Sequence, residues 1–417
     1  MISFYFSFFI SLLLWGIVYS INKPDRFFQF PALMTLAFGS FVLPQAISLI
    51  QFPGLVSEKA IEQILLMICL CLGSSFFFYK GKPSRLIIKL MLQPLNYRRL
   101  FHIGLFFIAV AYFFQASLGS IEVKFAATGG MTGAGTILLF FQQLIYPGFA
   151  ICLFSAIRKP SFLNIFASII GSIPLIQTIV IGRREGTAMV CLILACAFFY
   201  ERKFTPPKWV FLFSIIFAML IIPSTGNYRS LYSVYGSNAI KEIDFVENLK
   251  QFAFEESPIL ELRNAAAIIE ATDLVGEFKW GSDYWNHLVF RFVPAQLVGK
   301  EFKDNLSIGG KASDFTEQSS LQTGYQLSVG STLTGMADSY QQFGYFGCLF
   351  FGLMAVIFKS IWEVSLIKGA IYAQLLYVLS ATSAMRAVTH WTQDFFPGIL
   401  TFIIFLGIAV WYSKEKK

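Results

Sequence analysis

The sequence predicts an all-α polytopic integral membrane protein of about eleven transmembrane helices, with one large helical loop outside the membrane between spans 8 and 9. Three observations carry that prediction. Hydrophobic residues make up 56% of the 417 and charged residues only 13%, about half the charged share of an ordinary soluble domain. Apolar runs of about 20 residues, long enough to cross a bilayer, recur along the chain. A single polar island interrupts them: residues 224–335 hold fourteen of the twenty-four acidic residues and nine of the thirty-two basic ones.

The apolar runs fall near 2–21, 27–50, 60–79, 100–118, 134–157, 161–181, 186–200, 208–223, 336–358, 369–387 and 395–412. No Lys or Arg precedes the first run, so it reads as a span and not as a cleaved leader. Gly182-Arg183-Arg184-Glu185 leaves room only for a tight hairpin between spans 6 and 7. Three regions follow: 1–223 with eight spans, the loop subdomain 224–335, and 336–417 with three spans and a tail. Inside the loop the periodicity is helical. Phe245, Leu249 and Phe252 form one stripe. Ser257-Pro258 has the form of an N-cap followed by Pro at the first helical position, opening a helix to about Val275. A third helix after Gly281-Ser282 places Asp283, His287 and Arg291 on one face at i, i+4 and i+8. Residues 298–334 are rich in Gly, Ser, Asp and Gln and read as irregular. All six cysteines lie in apolar runs, which leaves no disulfide framework or metal cluster in the pattern.

Charge distribution orients the chain. One set of span ends carries eighteen Lys and Arg, among them Lys80, Lys82, Arg85, Lys89, Arg98 and Arg99, whereas the opposite ends carry five. The basic-rich side is cytoplasmic, so the N-terminus and residues 224–335 are extracytoplasmic and the C-terminus is cytoplasmic. The net charge of +8 is thereby a product of topology, and nucleic acid is excluded as its reason.

Arg183 and Arg184 break that rule, standing at an extracytoplasmic helix end where topology asks for no cation. Two adjacent guanidiniums before a helix suit a pyrophosphate, which takes planar bidentate donors and the positive end of a helix. The competing reading has them reach lipid headgroups or pair with Glu185. Arg386 and His390 end the tenth span on the same side. Asp338 opens the ninth, as an orienting acid, a sugar ligand or an interfacial cap. In the loop, His287 is the candidate general base, with Arg263 and Arg291 as further anion ligands. Glu261, Glu270 and Asp283 are the nearby acids that would otherwise pair with these three. No Asp-x-Asp pair occurs and no metal site of carboxylates is expected; no Gly-x-Ser-x-Gly, phosphate-binding loop or His-Glu-x-x-His occurs either.

Three stretches taken in order resemble the oligosaccharide and O-antigen repeat-unit polymerases (Wzy type). Ile181-Gly182-Arg183-Arg184-Glu185-Gly186 is similar to that family's Gly/Ser-Arg-Gly entry to a middle span. Phe278-Lys279-Trp280-Gly281-Ser282-Asp283-Tyr284 with Phe292-Val293-Pro294 is similar to its loop segment. Ser331-Thr332-Leu333, Asp338-Ser339-Tyr340 and Phe343-Gly344-Tyr345-Phe346-Gly347 resemble its entry to a late span. In one departure, Ala295 and not Arg follows Pro294, and Arg291 stands three residues before it.

The resemblance implies a GT-C-like, metal-independent glycosyltransferase of the bacterial inner membrane that needs no cofactor. It would move a growing glycan from undecaprenyl pyrophosphate to an incoming lipid-linked repeat unit, with a chain-length regulator as a possible partner. Catalytic roles would fall to His287, Arg183 and Arg184, and pyrophosphate or glycan binding to Arg386, Arg291, Arg263, Asp338 and His390. An O-antigen ligase, transferring glycan to lipid A-core, shares these features. A lipid-linked-glycan flippase or a sensory membrane protein fits less well, because the charges cluster at one face and one loop dominates. The orientation has a direct check. Cysteines at Gly236→Cys and Gly310→Cys are expected to react with an impermeant thiol reagent in cells with a permeabilised outer membrane, while Gly81→Cys stays unlabelled; the reverse pattern inverts the topology.

Overall fold

The computed structural model describes residues 1–121, 124–125, 131–255, 260–308, 324 and 332–415. Apolar runs become helices because a backbone in hydrocarbon must satisfy its own N–H and C=O groups. In chain order these are α1 (Ile2–Asn22), α2 (Phe30–Gln51), α3 (Glu58–Tyr79), the short α4 (Arg85–Met91), α5 (Tyr97–Gly119), α6 (Gly135–Arg158), α7 (Phe162–Val180), α8 (Arg184–Arg202) and α9 (Lys208–Tyr235). The polar island supplies α10 (Phe245–Phe254), α11 (Glu261–Val275), α12 (Ser282–Phe292), α13 (Ala295–Val298) and α14 (Lys300–Asn305). The last four are α15 (Thr334–Phe343), α16 (Cys348–Ser365), α17 (Ile371–Thr389) and α18 (Phe395–Ser413). Among the described residues the only paired strands are the two-residue β1 (Lys124–Phe125) and β2 (Met131–Thr132), which are antiparallel.

The protein is thus an all-α polytopic membrane protein in its architecture. Nine helical stretches among the described residues are long and apolar enough to cross a membrane. The runs expected as spans 7 and 10, now α8 and α17, fall outside that set although each has 19 residues. At 1.5 Å per residue that length covers about 28 Å, close to the hydrocarbon thickness. Arg184, Glu185, Glu201 and Arg202 charge the two ends of α8. In α17, 15 of the 19 residues are buried against protein, and a helix that meets few lipid tails has no need of a uniformly apolar surface. Helix α17 is the axis of the bundle, in contact with α2, α8, α15, α16 and α18, while α16 lies along α3.

The polar island is built into the bundle. Asp244 caps α10 by accepting hydrogen bonds from the Val246 and Glu247 amides at 3.1 and 2.9 Å, as the sequence pattern requires. Helix α11 wedges between α3 and α15, and Gln45 of α2 accepts the Leu262 amide near its start at 2.8 Å. The Ser257-Pro258 cap lies outside the described residues; the helix itself begins at Glu261. Residues 298–334, read as irregular, include the short α14.

The end of span 8 differs from the expected 223. Helix α9 continues through Pro223 to Tyr235. The Ser224 and Thr225 hydroxyls donate to Leu220 O and Ile222 O at 2.9 and 2.8 Å, supporting the turn where a proline N–H is missing. Hydropathy marks where a chain leaves hydrocarbon, not where its helix ends, so this overhang is invisible in an apolar-run count.

Two motifs that the sequence singled out dock on each other. The Lys279 and Trp280 amides donate to Gln341 O and Gln342 O, both at 3.0 Å, and the Gly281 amide donates to Gln342 Oε1 at 3.0 Å. These bonds satisfy carbonyls at the end of α15. Gly344 then turns the chain with φ 58°, under the ring of Phe278. At Gly347 a Cβ would collide with the Ser339 carbonyl. The Phe-Gly-x-x-Gly pattern is therefore a packing device. Gly347→Ala is expected to destabilise the protein by about 1–3 kcal/mol, read as a lowered thermal midpoint in detergent, whereas Gly407→Ala, with nothing within 4 Å, should leave it unchanged.

Candidate functional site

At the end of the bundle where α8 begins and α17 ends, side chains from four distant stretches meet. Asp394, in the turn before α18, sits between an imidazole and a guanidinium. Its Oδ1 lies 2.7 Å from His287 Nε2, and its Oδ2 lies 2.9 Å from Arg386 Nε. The second contact is a close ion pair in which the N–H is not aligned as a hydrogen bond. Arg386 Nη1 reaches the other way, donating to Glu185 Oε2 at 3.1 Å. The two carboxylates differ in setting: Asp394 is 9% exposed and Glu185 56%.

Local backbone features put these groups in place. Gly182 adopts φ 77° in the α7–α8 hairpin, and a Cβ there would meet Tyr228 at 2.7 Å. Tyr228 OH donates to Val180 O at 2.6 Å, and Arg229 Nε and Nη2 both donate to Gly182 O at 3.2 Å. The overhang of α9 therefore caps the end of α7 and holds the hairpin that presents Arg183, Arg184 and Glu185. The turn 390–394 is pinned from below by Asp338, whose carboxylate accepts from Thr392 Oγ1, the Gln393 amide at 3.1 Å and Gln393 Nε2 at 3.3 Å. Tyr284 OH shares a 2.8 Å hydrogen bond with Thr392 Oγ1, tying α12 to the same turn. One helical turn after Tyr284, His287 faces Asp394.

Other charges gather round. Arg291 lies over the Phe140 ring at 5.6 Å; burial and then the neighbouring Arg386 lower its pKa, against Asp394 and Glu185. His390, whose Nδ1 is 2.8 Å from Thr389 Oγ1, has its pKa pushed down to about 4 by burial, then by Arg386, with Arg184 adding and Asp394 opposing. It is neutral at physiological pH. Burial raises the Glu261 carboxyl, partly offset by its own helix-start amide and by Arg184. Among the described residues, the five arginines of this region, Arg183, Arg184, Arg229, Arg291 and Arg386, stand with three carboxylates, Glu185, Glu261 and Asp394.

Of the residues expected from sequence, the structure brings together His287, Arg386, Arg291 and His390, with Arg183 and Arg184 on the adjoining hairpin. Asp338 stands behind them, 1% exposed, and its oxygens are committed to the turn. Arg263 stands apart: Nη2 donates to Phe52 O at 2.6 Å and its guanidinium packs under Gly54, bracing the loop before α3. The acids expected to pair in the loop pair elsewhere. Asp283 accepts from Lys279 and Gln342, both at 2.8 Å, and Glu270 accepts the Ser57 amide at 3.4 Å. Glu185, weighed as the partner of Arg183 and Arg184, forms its ion pair with Arg386. Asp394 was not singled out. Its signal is slight: Asp338, Glu363 and Asp394 are the only acids between residues 336 and 412.

Chemically the cluster offers an anion site beside a proton acceptor. With Nε2 turned toward Asp394 at 2.7 Å, Nδ1 is the ring nitrogen of His287 left to take a proton, and no described residue hydrogen-bonds that atom. Among the described residues no three His, Cys, Asp or Glu side chains are grouped to hold a metal ion. Comparison with family models, with curated proteins and with solved structures finds no significant match in any of the three.

His390 gives a pH test. Its pKa is lower folded than unfolded, so the stability it contributes is complete above about 6.5 and is lost as pH falls toward 4. The drop in thermal midpoint of the detergent-solubilised protein between pH 7 and pH 5 is expected to be smaller in His390→Gln than in the wild type; an equal drop would place the titration elsewhere.

Proposed function

We propose that the chain is a metal-independent glycosyltransferase of the bacterial inner membrane. It polymerises lipid-linked oligosaccharide repeat units at the outer face. On this reading the chain crosses eleven times in a GT-C-like arrangement, α8 and α17 included, with the N-terminus periplasmic and the C-terminus cytoplasmic. The donor is a growing glycan on undecaprenyl pyrophosphate, the acceptor is a single lipid-linked unit, and a chain-length regulator sets when transfer stops.

The observation that supports this reading is the convergence of Arg386, Arg291 and the Arg183–Arg184 hairpin on the His287–Asp394 pair at one end of the bundle. A hydroxyl of the acceptor attacks the anomeric carbon of the donor, forming the new glycosidic C–O bond. Its proton passes to His287 Nδ1, and Asp394 steadies the imidazolium that results. The bond from the anomeric carbon to the pyrophosphate oxygen breaks, and the arginines take up the charge of the departing lipid pyrophosphate. Guanidiniums suit that task because their planar fork matches phosphoryl oxygens.

The deletion strain separates the principal readings by its glycan bands: core plus one repeat unit identifies a polymerase, core alone a ligase. Within the polymerase reading, Arg183→Ala, Arg184→Ala combined should abolish long chains at normal membrane abundance, with the Lys versions partly active. His287→Ala should reduce chain synthesis by roughly a hundredfold or more. Normal chain length from the double arginine variant would remove the hairpin from the mechanism.

A further inference from the structure

Glu185 is the unexplained member of the cluster. It stands in the first turn of α8 directly after two arginines, Arg183 and Arg184, yet its carboxylate crosses to Arg386 on α17. Arg386 thus holds one acid on each side. Asp394 is enclosed and shared with His287, a fixed part of the frame. Glu185 is exposed and held by one hydrogen bond of 3.1 Å, the kind of pair that contributes little to stability. Arg386 itself is 38% exposed, so an incoming anion can reach it.

We propose that the Glu185 carboxylate is a built-in stand-in for substrate phosphate: it occupies the solvent side of Arg386 and is displaced by a phosphoryl oxygen of a polyprenyl diphosphate. This rests on the reading above and adds a rule for its regulation. The first turn of α8 favours a negative charge, carboxylate or phosphate alike. Among the described residues, five arginines against three carboxylates leave a cation surplus that a diphosphate offsets. Once Glu185 is displaced, it remains on the exposed rim beside Arg183 and Arg184, where it can return to Arg386 after the lipid diphosphate leaves. The carboxylate thereby weakens ground-state binding of diphosphate and speeds its release, while Asp394 keeps Arg386 and His287 aligned throughout.

The test is binding of farnesyl diphosphate to the full-length chain in nanodiscs. Glu185→Gln keeps the side-chain size and removes the charge, and is expected to tighten binding by about three- to fivefold, the scale of an exposed ion pair. Arg386→Ala should weaken binding, and Glu185→Gln should give no gain in the Arg386→Ala background. If Glu185→Gln binds as the wild type does or more weakly, while Arg386→Ala and Arg183→Ala still weaken binding, the stand-in role is overturned and the arginine site survives. If neither arginine substitution changes binding, the diphosphate reading falls and this inference with it. Unchanged thermal midpoints separate these outcomes from a loss of fold.

Discussion

A carboxylate enclosed at the end of a membrane bundle needs compensating partners, and the Asp394 carboxylate draws a guanidinium and an imidazole from two directions. Its oxygens lie 2.7 Å from His287 Nε2 and 2.9 Å from Arg386 Nε. Much of the surrounding architecture serves to make that meeting possible. Asp338 and Tyr284 hold the turn that carries Asp394, through Thr392 and Gln393. The glycine hairpin, capped by Tyr228 and Arg229, brings Glu185 to the far side of Arg386. Removing Asp394 would leave a guanidinium and an imidazole without the group that orients both.

Architecture and chemistry divide cleanly along this framework. Gly281, Gly344 and Gly347, and the amides of Lys279 and Trp280, act through backbone: they join the loop to the end of α15 and set the start of α12. Trp280 accepts a φ of 49° to make the join, a conformation that side chains other than glycine rarely adopt. His287 and Arg291 then follow on the helix so positioned. Asp338 and Arg263 resemble functional residues in sequence, being charged and close to span ends, but each hydrogen-bonds a neighbouring loop.

The exposed and enclosed acids around Arg386 have different capacities. An enclosed, shared carboxylate fixes geometry because losing either partner strands a charge in a low-dielectric setting. An exposed one exchanges readily with water or another anion because solvent screens it. On the proposed reading, a site that holds a highly charged leaving group and then releases it gains from having one of each.

Sequence alone determined the membrane class, the helical content and the approximate helix positions, because burying backbone in hydrocarbon permits few alternatives and writes apolar runs of a set length into the chain. It also marked Arg183, Arg184 and Arg386, since a cation on the basic-poor side stands out against the charge pattern, and it placed His287 and Arg291 on one face through helical spacing. Tertiary structure alone decided the pairings. Asp394 lies 107 positions from His287 and Glu185 lies 201 positions from Arg386, and no local periodicity relates residues so far apart. Nor does hydropathy report the overhang of α9, because a helix that has left the lipid owes its continuation to capping and packing. The spans were legible because a solvent imposed them; the site was not, because only packed helices bring its charges within reach of one another.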